Sequence, residues 1–398
     1  MTEKMSFNKK LNQRLQNLQQ QQLYRSRCVV ESAQDVTLNI QGQSLTNFCS
    51  NDYLGLANHP EVKQAFKNAV DEYGVGSGAS QLVTGHQKAH HALEEELAEF
   101  IGREHVLLFS TGYMANLGVV SALSERKDEI FEDKLNHASL IDAALLSRAA
   151  LTRYPHKNIE ELEKQLIKSN AENKIIISDG VFSMDGDKAD LRSLINTAHK
   201  HNAILMIDDA HGIGVLGNKG QGIIGEFDGA IPELDLPIFV GTLGKAFGTF
   251  GAFVAGSHEL IETFINFSRS YIYTTAMPAA VAEATRASLR LIQQGDERRE
   301  CLQKRIKQFR EGCSELGIYI TPEPEYGSAS PIQPIIVGEA EKALRLSQSL
   351  QQQGLLISAI RPPTVPQNTS RLRVTFSANH TAEHVEKLLF ALNKSLNV

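Results

Sequence analysis

Short apolar runs recur along this chain, each followed by a longer stretch of helical periodicity, and that alternation restricts the fold more than any single motif. Runs at 106–109, 130–132, 174–177, 203–207, 237–240 and 251–255 read as strands, with helical patterns between most of them. Strands that alternate with helices build a largely parallel sheet covered on both faces, the α/β class. Ligands of such sheets collect at the carboxyl ends of the strands. The chemically informative residues follow the runs: Ser110-Thr111-Gly112, residues 133–137, residues 178–183, Asp208 to His211, and Thr242 to Lys245.

Around this core the pattern predicts an N-terminal amphipathic helix over 7–25, with Leu11, Leu15, Leu18 and Leu23 at nearly helical spacing, and a β-hairpin over 29–49 that turns at Gln41-Gly42. A packed helix is expected over 86–101 and a long helical stretch over 279–316. After about 318 comes a smaller α+β unit, with strands at 332–337, 355–359 and 371–376, a helix at 340–353 and a closing helix. At 398 residues the chain exceeds one ordinary core. The expected division is an N-terminal segment 1–50, a large domain 51–285 and a small C-terminal domain 286–398.

A net charge of −6 disfavours nucleic acid or an anionic membrane as partner. No apolar run reaches the roughly 18 residues of a membrane span, and the first ten residues lack a secretory core. Cys28, Cys49, Cys301 and Cys313 have no paired spacing and read as reduced thiols, so the expected compartment is the cytoplasm and no metal site is expected.

The chemistry is carried by two residues placed just past strands. Lys245, in Thr242-Leu243-Gly244-Lys245-Ala246-Phe247-Gly248, can form an imine; Asp208, in Asp208-Asp209-Ala210-His211, can hold a protonated pyridine nitrogen. Together they are the minimum equipment for pyridoxal phosphate chemistry. Asp208 is the expected partner of the ring nitrogen, and the sequence does not rule out Asp209. His211 would lie near the phenolic oxygen, and His137 is a candidate to stack on the ring. Ser110-Thr111-Gly112-Tyr113, between a strand and a helix, meets the needs of a phosphate. Gly74-Val75-Gly76-Ser77-Gly78 lacks the preceding strand and the third glycine of a dinucleotide loop, and is read instead as a close-approach loop beside a substrate. Arg361, in Arg361-Pro362-Pro363-Thr364-Val365-Pro366, suits bidentate capture of a carboxylate.

Five stretches resemble the α-oxoamine synthases, fold-type I pyridoxal phosphate enzymes with a large mostly parallel sheet and a smaller C-terminal α+β domain. They are Asn51-Asp52-Tyr53-Leu54-Gly55-Leu56, Gly76-Ser77-Gly78, Asp179-Gly180-Val181-Phe182-Ser183-Met184-Asp185-Gly186, Asp208-Asp209-Ala210-His211-Gly212 and Thr242-Leu243-Gly244-Lys245. The resemblance covers the chain from about Leu23 onward and implies a decarboxylating condensation of an amino acid with an acyl thioester. The finer likeness of Gly76-Ser77-Gly78-Ala79-Ser80, Val83-Thr84-Gly85, residues 359–366 and Arg371-Leu372-Arg373-Val374-Thr375 implies L-alanine with pimeloyl-CoA or its carrier-protein form as the expected pair. The family resemblance implies that Lys245 carries the cofactor, that Asp208 meets the ring nitrogen and His137 covers the ring, and that Gly112 and Tyr113 line the phosphate site. Ser183, His211 and Thr242 contact the cofactor, and Asn51 joins Arg361 on the amino-acid carboxylate. Arg25 (or its neighbour Arg27) and Thr364 border the acyl substrate. Thr274 and Thr275 reach the phosphate of a neighbouring subunit, which implies a homodimer. The rivals are a sister condensation with glycine or another acyl chain, and a catalytically silent partner subunit, which the presence of Lys245 and Asp208 disfavours.

Overall fold

A computed structural model describes residues 2–227, 229–320 and 329–396, with the side chains of 2–6 outside the description. Among the described residues thirteen strands form three sheets. The hairpin strands β1 (Thr37–Ile40) and β2 (Gln43–Asn47) pair antiparallel. Gln41 (φ 52°) and Gly42 (φ 73°) turn the chain between them. Two successive positive φ values make the tight turn whose twist suits a two-residue hairpin.

The main sheet contains β3 (His105–Phe109), β4 (Glu129–Asp133), β5 (Ala150–Tyr154), β6 (Lys174–Asp179), β7 (Ile204–Asp208), β8 (Ile238–Thr242) and β9 (Ala252–Gly256), in the order β3-β9-β8-β7-β6-β4-β5. Only β9 runs against its neighbours. Because β3 and β8 both oppose β9, the carboxyl ends of β3, β4, β6, β7 and β8 all emerge at one edge. Alternate residues of each strand face opposite layers, as the period of two requires. Phe131, Ile176, Leu205, Ile207 and Phe239 enter one core, while Ile130, Ile175, Ile177, Met206, Ile238 and Val240 enter a second, against helices Gly112–Leu123 and Ala138–Ser147. The sequence missed β5, an edge strand whose Leu151, Thr152 and Arg153 are only half-buried and carry no apolar run.

The C-terminal part holds β10 (Ile332–Gly338), β11 (Leu355–Leu356), β12 (Ser358–Ile360) and β13 (Ser370–Thr375). The single strand expected over 355–359 is divided between two sheets. Its first half pairs parallel with β2, and its second half joins the sheet β10-β13-β12. The N-terminal hairpin is therefore sewn to the C-terminal part. The long stretch over 279–316 is two helices, Ala279–Gln293 and Asp296–Glu315. At Gly295 any Cβ would lie 2.6 Å from the Leu291 carbonyl, and Arg299 donates to the Ile292 carbonyl at 2.7 Å. Those contacts close the first helix. The N-terminal helix spans Thr2–Gln20 and not 7–25: Gln22 adopts φ 56°, and the Leu23 N–H returns to the Leu18 carbonyl at 2.8 Å, so Leu23 lies past its end. Among the described residues no helix is long and apolar enough to cross a membrane.

Candidate active site

Lys245 follows β8 and sits half-buried at the edge where the five strand ends meet. Desolvation pulls its ammonium down to about 8, against the pull of Asp208 and Asp179, and Arg373 adds to the lowering. Among the described residues no hydrogen bond or ion pair engages its Nζ.

The two aspartates after β7 divide cleanly. Asp208 turns toward the lysine edge and is held by the Asn116 amide at 2.7 Å and the Ala210 N–H at 3.1 Å. Asp209 is fully buried on the other side, where Oδ2 accepts from the Ile223 N–H at 2.8 Å. Gly180, Gly212 and Gly222 crowd its carboxyl so closely that a Cβ on any of them would overlap it. Burial pushes the Asp209 carboxyl well above its usual range. Geometry therefore resolves what the sequence left open: Asp208 faces the site, and Asp209 is packed beneath it.

His211 is 7% exposed and lies 2.6 Å, through Nδ1, from the Tyr53 hydroxyl, which also contacts Asn51 Oδ1 at 3.1 Å. Burial, with Lys245 and Arg373 close by, drops its basicity well below the ordinary histidine range, so the ring is neutral. His137 caps the helix Ala138–Ser147: its Nδ1 lies 2.7 Å from Ser139 Oγ, and its N–H donates to Asp179 Oδ2 at 2.9 Å. Its ring is exposed, leaving a face free for stacking. Desolvation lowers its basicity, while Asp208 pulls the other way. Asp179 ends β6 and pairs in register with Asp208. The sequence assigned no role to Asp179, Asn116 or Tyr53. Asp179 and Tyr53 stand inside the quoted motifs, but only the strand register reveals their neighbours.

The helix Gly112–Leu123 aims its N-terminus at the same edge. Thr111 caps it by accepting from the Met114 N–H at 3.1 Å. A Cβ at Gly112 would meet only Thr242 Oγ1, at 4.0 Å, so a hollow lies between the helix start and the end of β8. A helix N-terminus flanked by hydroxyls suits a phosphate. With a weakly basic lysine amine and an anchored carboxylate beside it, this donor set fits pyridoxal phosphate. Tyr113 is exposed, and its hydroxyl donates to Asp142.

Opposite lies a cation the sequence did not single out. Arg373 on β13 is 7% exposed; its Nε donates to the Ser183 carbonyl at 2.7 Å, and NH1 and NH2 reach Asn51 Oδ1 at 3.3 and 3.4 Å. Arg361, expected on the amino-acid carboxylate, donates instead to the Gln22 carbonyl. Burial, and after it the neighbouring Arg25, hold its guanidinium below the usual range. The proline turn, whose Thr364 N–H bonds the Arg361 carbonyl at 3.1 Å, points it toward the end of the N-terminal helix. Arg25, Arg27 and Thr364 are exposed. Thr275 pairs with Ser80 in an antiparallel bridge, tying 274–276 to the loop at 74–85; Thr274 is half-buried.

Comparison with known proteins bears on this geometry. Residues 43–392 match the family model for class I and II aminotransferases. The chain is 56% identical over 369 residues to the 8-amino-7-oxononanoate synthase of Methylococcus capsulatus, covering 93% of this chain and 94% of that one. It is 53% identical over 390 residues to the enzyme of that name from Saccharophagus degradans, covering 98% and 96%. Among solved structures, a serine palmitoyltransferase from S. paucimobilis with bound PLP superposes with TM-score 0.91 at 29% identity, covering 99% of this chain and 98% of that one. The 8-amino-7-oxononanoate synthase of Francisella tularensis superposes with TM-score 0.76 at 33% identity, covering 89% and 98%.

Proposed function

This chain belongs to the class I and II aminotransferase family and, within it, to the 8-amino-7-oxononanoate synthases, and on that premise we propose that it condenses L-alanine with a pimeloyl thioester in biotin biosynthesis. The products are 8-amino-7-oxononanoate, carbon dioxide and the free thiol. The observation that carries this reading is the pairing of a weakly basic Lys245 with an anchored Asp208 at one strand edge.

Pyridoxal phosphate, when bound, supplies an aldehyde carbon that takes up an amine and a cationic ring that draws electrons from a bond at Cα. Asp208, fixed by Asn116 and Ala210, would hold the ring-nitrogen proton. The start of the helix Gly112–Leu123, with Thr242, would receive the phosphate, and His137, His211 and Ser183 would contact the ring. With its amine near 8, Lys245 is uncharged in about a quarter of molecules at pH 7.5, against about a thousandth for an ordinary lysine. That neutral Nζ is the nucleophile, and once alanine's amine has taken its place it is the base that removes the Cα proton. The alanine Cα then bonds to the thioester carbonyl, the thiol leaves, the carboxylate departs as carbon dioxide, and Lys245 returns a proton to Cα.

We assign the amino-acid carboxylate to Arg373 and Asn51, which contact each other, Arg373 lying close enough to Lys245 to lower its amine. Arg361 and Arg25 form a second cationic spot, which we assign to the acyl substrate, with Thr364 beside them. We further propose a homodimer, supported by exposed Val75, Leu82, Val83, Phe250 and Tyr273, with Thr274 and Thr275 serving the partner's phosphate. The segments 1–50, 51–285 and 286–398 serve as hairpin, cofactor and small units. The cytoplasm suits the four free cysteines.

The test is product identification by mass spectrometry after incubating the cofactor-loaded enzyme with alanine and pimeloyl-CoA, with glycine and serine as competitors. Faster turnover of glycine or serine, or absence of the amino ketone, overturns the reading.

A further inference from the structure

Outside the site just described, His86, His91 and Glu94 form a cluster of metal-ligating side chains among the described residues. His86 follows the turn Gln81–Gly85, while His91 and Glu94 stand on the helix Lys88–Ile101; each brings one donor atom to within 4.8 Å of the others. His91 and Glu94 are three residues apart and so share a helix face. The imidazoles of His86 and His91 lie 5.8 Å apart at 80°. We propose that His86, His91 and Glu94 form a binding site for a zinc-class divalent cation, its remaining coordination positions filled by water.

The surroundings argue for a ligand more than the residue types do. His86 Nδ1 lies 3.1 Å from Gln81 Oε1, and the orientation of that amide is set by its NH2 group, which donates to the Leu108 carbonyl at 3.1 Å. An amide oxygen only accepts, so the His86 proton sits on Nδ1 and Nε2 presents a lone pair. That lone pair faces Glu94 Oε2 across 3.8 Å. The other Glu94 oxygen is occupied by the Leu108 N–H at 3.0 Å. When Glu94 is ionised, two acceptors face each other, both anchored on Leu108 of β3, and because burial pushes the Glu94 carboxyl up to about 8 a cation there competes with a proton. Such outer contacts orient ligands in built metal sites. Two imidazoles and a carboxylate suit zinc and its neighbours better than magnesium or calcium.

Tetrahedral bonds of about 2.0–2.1 Å place donors roughly 3.3 Å apart, so closure needs a contraction of about 1.5 Å from the widest pair. His91 is exposed and free to supply it by rotating away from Glu95, which its Nε2 now meets at 3.4 Å. An ion bridging His86 to the helix would fasten the end of the loop that includes Ser77 and Gln81.

The test uses cofactor-loaded enzyme, freed of metal by a chelator and dialysed. Zinc chloride is titrated in by calorimetry, and cobalt chloride is followed by its visible ligand-field bands. We expect one tight zinc equivalent per chain that disappears in H86A/H91A and in E94Q. It should weaken by about 10- to 100-fold in Gln81→Leu, through loss of the outer contact. It should persist in H105A/H258A, which removes the other surface imidazole pair, 5.2 Å apart. The visible absorbance of the bound cofactor reports that each variant folds. Equal zinc binding by the wild type and H86A/H91A, or no equivalent tighter than about millimolar, overturns the site.

Discussion

Replacing Arg373 by glutamine separates the two arginines that could hold the amino-acid carboxylate. A guanidinium has five N–H donors. Arg373 commits one to Ser183, also meets the Tyr53 hydroxyl and holds two long contacts to Asn51 that a carboxylate would displace for a side-by-side pair. Hydrogen bonds to a charged group are each worth about 1.5–3 kcal/mol, and glutamine can restore one neutral bond. The expected net loss is therefore about 2–4 kcal/mol, or roughly 30- to 700-fold in alanine affinity. The assay is titration of the cofactor-loaded enzyme with alanine, read from the change in cofactor absorbance, so that binding is separated from turnover. L-Alaninamide, which lacks the negative charge, supplies the internal control. Its weaker binding should hardly change in R373Q, whereas a merely structural loss at Ser183 would weaken both ligands together. In R361Q alanine binding should stay within about threefold of wild type, with the penalty falling on the KM for pimeloyl-CoA. Alanine binding that collapses in R361Q and survives in R373Q would refute the reasoning.

The remaining predictions follow from individual contacts. Lys245→Ala should lower turnover by on the order of 10⁴ or more, the upper end for a positioned base, and abolish borohydride fixation of the cofactor. In wild type, cofactor uptake by the apoenzyme should rise with pH about a midpoint near 8, where the Lys245 amine loses its proton; a midpoint near 10 would contradict the burial argument. Burial lowers the basicity of His156, but hydrogen bonds to Asp133 and Asp187 at 2.9 Å overcome it and lift the ring to about 9. Because this folded value exceeds the unfolded 6.5, the stabilisation is complete below pH 6.5 and lost as pH rises through 9; it amounts to at most about 3 kcal/mol. Thermal melts of His156→Gln should accordingly lie below wild type at pH 6 and converge with it above pH 9.5. Gly222→Ala should destabilise by about 2–4 kcal/mol, since φ is +78° and the new methyl overlaps Asp209 Oδ2; denaturant unfolding measures it.

The sequence exposed the sheet because its buried strands are uninterrupted apolar runs, and strand ends are where loops must carry polar chemistry. Lys245, His211 and the acidic pair Asp208-Asp209 stood out for that reason. β5 was not, because an edge strand needs only one buried face and its residues pair more through backbone than through core. The choice between Asp208 and Asp209 was equally closed to inspection, since adjacent residues on a strand differ only in which way the pleat turns them. Arg373 was hidden differently. It sits inside an apolar-polar alternation that reads as ordinary β13, and its value comes from Asn51 and Ser183, 322 and 190 positions away. Arg361 was picked out by the prolines around it, and its contact with the Gln22 carbonyl, 339 positions away, shows only in the fold.

The same register that hid these contacts sorts the charge of the site. Asp179 and Asp208 end neighbouring parallel strands side by side, and two carboxylates that close in low dielectric do not both stay ionised. Burial first, and Asp208 second, push the Asp179 carboxyl well above its usual range. Asp179 has the His137 N–H, while Asp208 has the Asn116 amide and the Ala210 N–H, so the better-solvated member is the one facing the ring nitrogen. Raising the Asp179 carboxyl weakens the anion that competes with Asp208 for the ring nitrogen's proton. Asp179→Asn keeps that side chain neutral and should bind the cofactor as wild type does. Asp208→Asn removes the carboxylate assigned to the ring nitrogen, and should cost cofactor affinity and the alanine Cα proton exchange together. If the two substitutions behaved alike, the two carboxyls would share the proton and the division of labour drawn from the strand register would fail.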